Sequence, residues 1–244
     1  MTNTPRTPEL GTHQRVSVRD LRVRYGHATA LAGVDLDLEP GKINAIVGQN
    51  GAGKSSLLLA MYGAVPSSGS VSVGGQDISD LKPAQRARRG IGLVPQGRQI
   101  FPTLTVRENL AVYAEVLDAG HEAVEAAIRR FPRLLERANT LSGNLSGGEQ
   151  QMLAVTRALM TDSRVLLFDE MATGLAPVIV QQLIGVAKEL AADGSTVVMA
   201  EASIGAIVAD IDRGYLLTRG EIVDVVEGGA ELEERYRASM GVVG

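Results

Sequence analysis

Eight consecutive residues, Gly48-Gln49-Asn50-Gly51-Ala52-Gly53-Lys54-Ser55, match the pattern G-x-x-x-x-G-K-[ST] in full. The chemistry of such a string is the capture of a polyphosphate. Its glycines let backbone N–H groups turn inward around phosphate oxygens, and a helix starting just after them presents its positive end to the same anion. Lys54 is placed to reach the β- and γ-phosphates of a nucleotide, Ser55 to ligate Mg²⁺, and Ser56 to hydrogen-bond phosphate. A glycine-rich turn that merely caps a helix has the same local form. The apolar run Ile43–Val47 before the string and the helical run after it supply the context that nucleotide binding needs.

A second reactive group is the pair Asp169-Glu170, which closes the apolar run Val165-Leu166-Leu167-Phe168. Carboxylates that leave a buried strand at its carboxyl end stand where open α/β sheets bind ligands. There Asp169 would hold Mg²⁺ through water, and Glu170 would polarise the water that attacks a γ-phosphate. A solvated acidic loop opening the next helix is the plainer reading of the same pair.

The elements that must position these groups fall into two kinds. Ile43–Val47, Ile91–Val94, Val165–Phe168 and Thr196–Ala200 are short, nearly continuous apolar runs, as in parallel strands buried on both faces. Helical patterns at Leu57–Tyr62, Gln150–Met160 and Val178–Leu190 separate several of them, so the core is α/β. The first third differs. Val16, Val18, Leu21 and Val23 alternate with a slip at Asp20, which predicts a strand over 16–25 with a bulge. Val34, Leu36 and Leu38 alternate with acids up to Pro40-Gly41, and Val71 and Val73 lead into a Gly74-Gly75 turn before Ile78. These segments predict an antiparallel layer. Val124, Ala127, Ile128, Phe131 and Leu135 recur at helical spacing and make 105–140 a mainly helical insertion.

With 244 residues, 45% apolar and 21% charged, the chain can bury one large core or two small ones. A net charge of -4 provides no general attraction for nucleic acid, which is not expected as a partner. The absence of cysteine excludes disulfide and thiol chemistry and suits the cytoplasm. Residues 1–14 hold two prolines and no apolar run, which predicts a flexible tail and not a secretory signal. Ser55–Gln76 is the longest uncharged stretch, but its apolar part stops at Val65, ahead of Pro66, Ser67, Ser68 and Gly69. A membrane role would therefore come through a partner.

Leu145-Ser146-Gly147-Gly148-Glu149-Gln150-Gln151 resembles the signature peptide of the ATP-binding cassette (ABC) family. Ser146 and Glu149 also fit a capping box for the helix running to Met160, and a glycine-fronted helix start can receive a phosphate from outside the chain. The resemblance covers about residues 15–225. It implies an α/β fold, a P-loop NTPase (RecA-like) ABC ATPase core with an antiparallel β subdomain and a helical subdomain. The implied layout is β subdomain and core over 15–97, helical subdomain over 98–161, core over 162–225 and a C-terminal helical tail over 226–244. The implied ligands are ATP and Mg²⁺. Two cassettes, alike or different, would meet head to tail, so that Ser146, Gly147 and Gly148 face ATP held by the other loop. Tyr25 takes the adenine-stacking position, and Gln96 resembles the Q-loop residue that touches Mg²⁺ and the attacking water. Further implied partners are transmembrane permease subunits and, indirectly, an extracytoplasmic solute-binding protein. The implied place is the inner face of the cell membrane.

Within the family, Val94-Pro95-Gln96-Gly97-Arg98 followed by Ile100 to Leu110 looks like the importers of branched-chain amino acids. Gly174-Leu175-Ala176-Pro177 and Asp212-Arg213-Gly214-Tyr215 agree with them, although Gln96 is the form found in urea-type importers. Two positions depart from the family. Met171 and Ala172 stand where it has proline and then serine or threonine in the D-loop, and Ala202 stands where it has a switch histidine or glutamine. His13, His27 and His121 all lie far upstream of that position. The resemblance thus implies an ATPase that drives transport, beside an alternative: a nucleotide-responsive module with little hydrolysis at its own loop. A P-loop kinase or GTPase leaves Leu145–Gln151 unaccounted for.

Overall fold

The computed structural model describes residues 15–97, 99–161 and 164–241. The tail expected over 1–14, and Arg98 of the quoted string, lie outside them. Along the chain the elements run β1 (Val16–Tyr25), β2 (Ala28–Leu38), β3 (Ile43–Val47), α1 (Lys54–Tyr62), β4 (Ser68–Val73), β5 (Gln76–Asp77), α2 (Pro83–Arg88) and β6 (Ile91–Val94). They continue as α3 (Val106–Val116), α4 (His121–Arg129), α5 (Pro132–Glu136), α6 (Gly147–Leu159), β7 (Val165–Asp169), α7 (Pro177–Ala192), β8 (Thr196–Glu201), β9 (Arg213–Thr218), β10 (Glu221–Glu227) and α8 (Gly229–Ser239).

A four-stranded antiparallel sheet has the order β2-β1-β4-β5. Its register pairs Val16 with Leu38 and Val18 with Leu36, then shifts, so that Leu21 meets Val34. Asp20 sits in the shift with φ 46°. The extra residue keeps Val16, Val18, Leu21 and Val23 all on the buried face, which strict alternation would not do. Gly74 and Gly75, both at positive φ, close the β4–β5 hairpin at the predicted place.

The second sheet has six strands in the order β10-β9-β3-β8-β7-β6. Strands β9, β3, β8, β7 and β6 run parallel, and β10 is antiparallel to β9. Alternate residues enter two separate cores. Ala45, Val47, Leu166, Phe168, Val197 and Met199 face α6, α7 and the helical insertion. Ile46, Leu167 and Val198 face the antiparallel sheet, with Leu57, Leu58 and Met61 of α1 packed between the two layers. Burial on both faces is why these strands read as unbroken apolar runs.

Three differences from the sequence reading have physical causes. The β9–β10 hairpin was not expected, because an arginine and a glycine open β9 and leave only Tyr215-Leu216-Leu217 as an apolar run. Next, Leu135 is exposed and Leu134 is buried in its place. Phe131 is non-helical at φ -123° and Pro132 begins a new helix, so the helical phase restarts there. Last, strand β10 continues to Glu227, and the final helix begins only at Gly229. Among the described residues no helix is long and apolar enough to cross a membrane.

Candidate nucleotide site

The phosphate loop leaves β3 at Val47 and enters α1 at Lys54. Two of its glycines are sterically required. A Cβ at Gly48 would stand 2.3 Å from the Leu217 carbonyl oxygen, and one at Gly53, which caps α1 at φ 111°, would stand 2.5 Å from the Ala30 carbonyl oxygen. Gly220, in the β9–β10 turn, donates its N–H to Ala52 O at 2.9 Å and accepts from Ala32 N at 3.0 Å. One residue thus ties the loop to both sheets. Inside the loop, Lys54 is only 4% exposed, and its Nζ donates to Gly48 O at 2.9 Å and Gln49 O at 3.3 Å. The ammonium therefore sits within the curl of backbone that is to hold phosphate. At the other end of α1, the buried Arg86 guanidinium donates to the carbonyls of Ala60, Met61, Leu81 and Ser79. It closes the negative end of the same helix.

The carboxylates lie directly against the loop. Ser55 Oγ donates to Asp169 Oδ1 at 3.0 Å. Glu170 Oε1 is 3.6 Å from Lys54 Nζ, and its Oε2 accepts from Gln96 Nε2 at 2.6 Å. Lys54, Ser55, Gln96, Asp169 and Glu170 thus meet at the carboxyl ends of β3, β6 and β7. Burial holds the Asp169 pKa above the usual carboxylate value; the Ser55 hydroxyl opposes the shift, the Glu170 charge adds to it and the Lys54 charge opposes it. A cleft of about 460 Å³ opens beside Glu170, lined in part by Gln96, Gln99, Ile100, Gln150 and Gln151.

The remaining predicted residues lie around this centre. Gln49, Asn50, Gly51 and Ala52 line a recess of about 350 Å³ shared with Thr218, Tyr236 and Ser239. Tyr25 is half exposed at the end of β1, and its hydroxyl lies 3.5 Å from Ser56 Oγ. Ser146, Gly147 and Gly148 stand apart, at the start of α6. Ser146 forms the capping box with Glu149, at 2.8 and 3.3 Å, and Gly148 packs against Ile179 so closely that a Cβ would lie 2.9 Å from it.

The donor set fits Mg²⁺. A serine hydroxyl and a carboxylate supply oxygen only, and this ion usually takes one or two protein ligands and fills its octahedron with water and phosphate oxygens. Among the described residues, no group of three or more His, Cys, Asp or Glu forms a metal cage of its own. The loop fits a polyphosphate, because Lys54 places a buried cation inside it and α1 starts directly after it.

Two residues near the site escaped the sequence reading. Glu201 ends β8 and is 1% exposed, and its Oε1 accepts from Ala172 N at 3.1 Å. Burial pushes its pKa up to about 7; the N–H groups of Ala172 and Met171 work against the shift, and the Glu170 and Asp169 charges add to it. An acid ending an apolar strand beside the Asp169-Glu170 strand was the available signal. The other is Tyr236 of α8, whose hydroxyl donates to Ala202 O at 2.9 Å. No local pattern joins residues so far apart in the chain.

Comparison with known proteins agrees with this geometry. Residues 31–173, more than half the chain, match the family described as ABC transporter. The chain is 40% identical over 211 residues to the high-affinity branched-chain amino acid transport ATP-binding protein BraG of Pseudomonas aeruginosa, covering 85% of this chain and 91% of that protein. It is 35% identical over 231 residues to the probable branched-chain amino acid transport ATP-binding protein LivF of Archaeoglobus fulgidus, covering 91% and 97%. Among solved structures, a nucleotide-free ATP-binding cassette from an ABC transporter superposes with a TM-score of 0.82 at 26% identity, over 95% of this chain and 99% of that one. The α/β fold with its phosphate loop is that of the ABC ATPases, and the chain belongs to the ABC transporter family as an ATP-binding subunit.

Proposed function

We propose that this chain hydrolyses ATP to ADP and phosphate to drive import of branched-chain amino acids or a related polar solute. The observation that carries the reading is the contact chain Gln96–Glu170–Lys54, beside Ser55–Asp169, at the mouth of the phosphate loop. Lys54 gives its charge to the β- and γ-phosphates when they displace the loop carbonyls it now binds, and the loop N–H groups hold the remaining oxygens. Glu170, released from Lys54, accepts a proton from the attacking water, with Gln96 as the neighbour that orients both. Ser55 and Asp169 would hold Mg²⁺, which neutralises charge on the phosphates. Tyr25 would offer its exposed ring to adenine.

The solute assignment rests on the transport named for the two relatives. In this reading a second cassette, identical or not, presents Ser146-Gly147-Gly148 to the phosphates. Permease subunits hold the pair at the inner face of the cell membrane, and a solute-binding protein delivers cargo outside. The test is ATP hydrolysis by the chain alone, with a partner cassette, and with permeases in vesicles, each beside Glu170→Gln. Wild type no faster than that variant in every setting overturns the reading.

One observation favours slow turnover at this chain's own loop. Ala202 offers only a methyl group, and its carbonyl is already taken by Tyr236. Under this second reading the chain is a nucleotide-responsive module, and the faster site combines a partner's loop with this chain's signature.

A further inference from the structure

Glu170 adopts φ 50°, the left-handed region that non-glycine residues rarely enter. Such a conformation persists only where its surroundings over-determine it. Here the turn is held by the end of one neighbouring strand. Glu170 N donates to Ala200 O at 2.9 Å, and Ala172 N donates to Glu201 Oε1 at 3.1 Å. The strand end is itself secured on either side of Glu201. Asp169 pairs with Ala200 in the parallel ladder, and Tyr236 of α8 binds Ala202 O at 2.9 Å. A buried carboxylate costs desolvation, so a site that keeps one must use its acceptor capacity. Here the Ala172 N–H uses it.

We propose that Glu201 is a positioning residue for Glu170: by accepting the Ala172 N–H, it locks the left-handed turn that aims the Glu170 carboxylate at Lys54 and Gln96. The inference rests on the reading of Glu170 as the residue that activates water. It assigns a task to a side chain that lies outside the phosphate loop. It also explains how the turn is fixed although Met171 and Ala172 have no polar side chains to cap it.

The test uses Glu201→Leu, which fills the space and offers no acceptor, and Glu201→Gln, which keeps one carbonyl oxygen. Residue-resolved amide exchange is followed beside ADP affinity and steady-state kinetics. In Glu201→Leu, exchange at Met171 and Ala172 is expected to speed up by about tenfold or more, with the phosphate loop unchanged. ADP affinity should stay within about twofold, and kcat should fall by about 10²-fold at similar KM, as for a misplaced reacting group. Glu201→Gln should restore part of both, and it carries the exchange test alone if the leucine variant does not fold. Exchange at Met171 and Ala172 equal to wild type in a folded variant overturns the proposal. So does a kcat loss no larger than the loss of ADP affinity. If wild type itself hydrolyses no ATP, the functional reading fails, and the exchange measurement still decides whether Glu201 holds the turn.

Discussion

Gln96 reaches from just beyond β6 to Glu170 at the end of β7, its Nε2 donating to Oε2 at 2.6 Å. With Lys54 Nζ 3.6 Å from the other oxygen, both oxygens of the Glu170 carboxylate are engaged. Under the proposed function, these two contacts orient the carboxylate assigned to activate water.

Glu170→Gln keeps the shape of the side chain and removes its basicity. ATP turnover should drop by about 10²-fold or more, with ADP affinity within about twofold. Gln96→Ala leaves the Lys54 contact in place and should cost a smaller factor, about tenfold. Steady-state hydrolysis beside fluorescent-nucleotide titration reads both. Equal losses in the two variants would contradict the separate tasks given to these residues.

Ala202→Gln adds a polar side chain to a segment whose backbone Tyr236 already fixes. Turnover of the chain alone should rise by about tenfold, the order of one added stabilising group. An unchanged rate would show that the methyl group at 202 does not limit hydrolysis.

Arg86→Met removes one guanidinium and leaves the carbonyls of Ala60, Met61, Leu81 and Ser79 without their buried donor. Urea unfolding should show a loss of about 3 kcal/mol. Arg86→Lys should recover little, because a single ammonium cannot reach four carbonyl acceptors arranged around a planar fork.

The Glu201 carboxyl, at about 7 in the fold against 4.5 as its ordinary value, binds a proton more readily in the folded chain. Between those values the folded state holds more protons than the unfolded one, so stability falls as pH rises through the window and levels off above it. The full change is about 3 kcal/mol, from about 1.4 kcal/mol per unit. The Asp169 shift has the same sign, and the Glu170 and Asp169 charges both act on Glu201. Urea midpoints from pH 5 to 8 should fall along this slope for wild type and stay flatter for Glu201→Gln.

What could be read directly from the chain was whatever is contiguous in it. Gly48 to Ser55 and Asp169-Glu170 are strings whose context is adjacent sequence, and the doubly buried strands betray themselves as nearly continuous apolar runs. Relations made by the fold were invisible. Glu201 matters because parallel pairing sets Ala200 beside Asp169, and Tyr236 matters because α8 returns to the end of β8. The insertion was legible as helical, but a non-helical Phe131 ahead of Pro132 reset its phase and exchanged Leu135 for Leu134 at the core. Strands β9 and β10 were missed because charged residues and glycine interrupt them.

Gly220 serves two neighbours at once, its N–H bound to Ala52 O and its carbonyl to Ala32 N. The phosphate loop and the antiparallel sheet therefore share an anchor in the β9–β10 turn, and a disturbance of that turn reaches both. A stretch whose glycines suggest suppleness is thus tethered from outside by an element that neither precedes nor follows it in the chain.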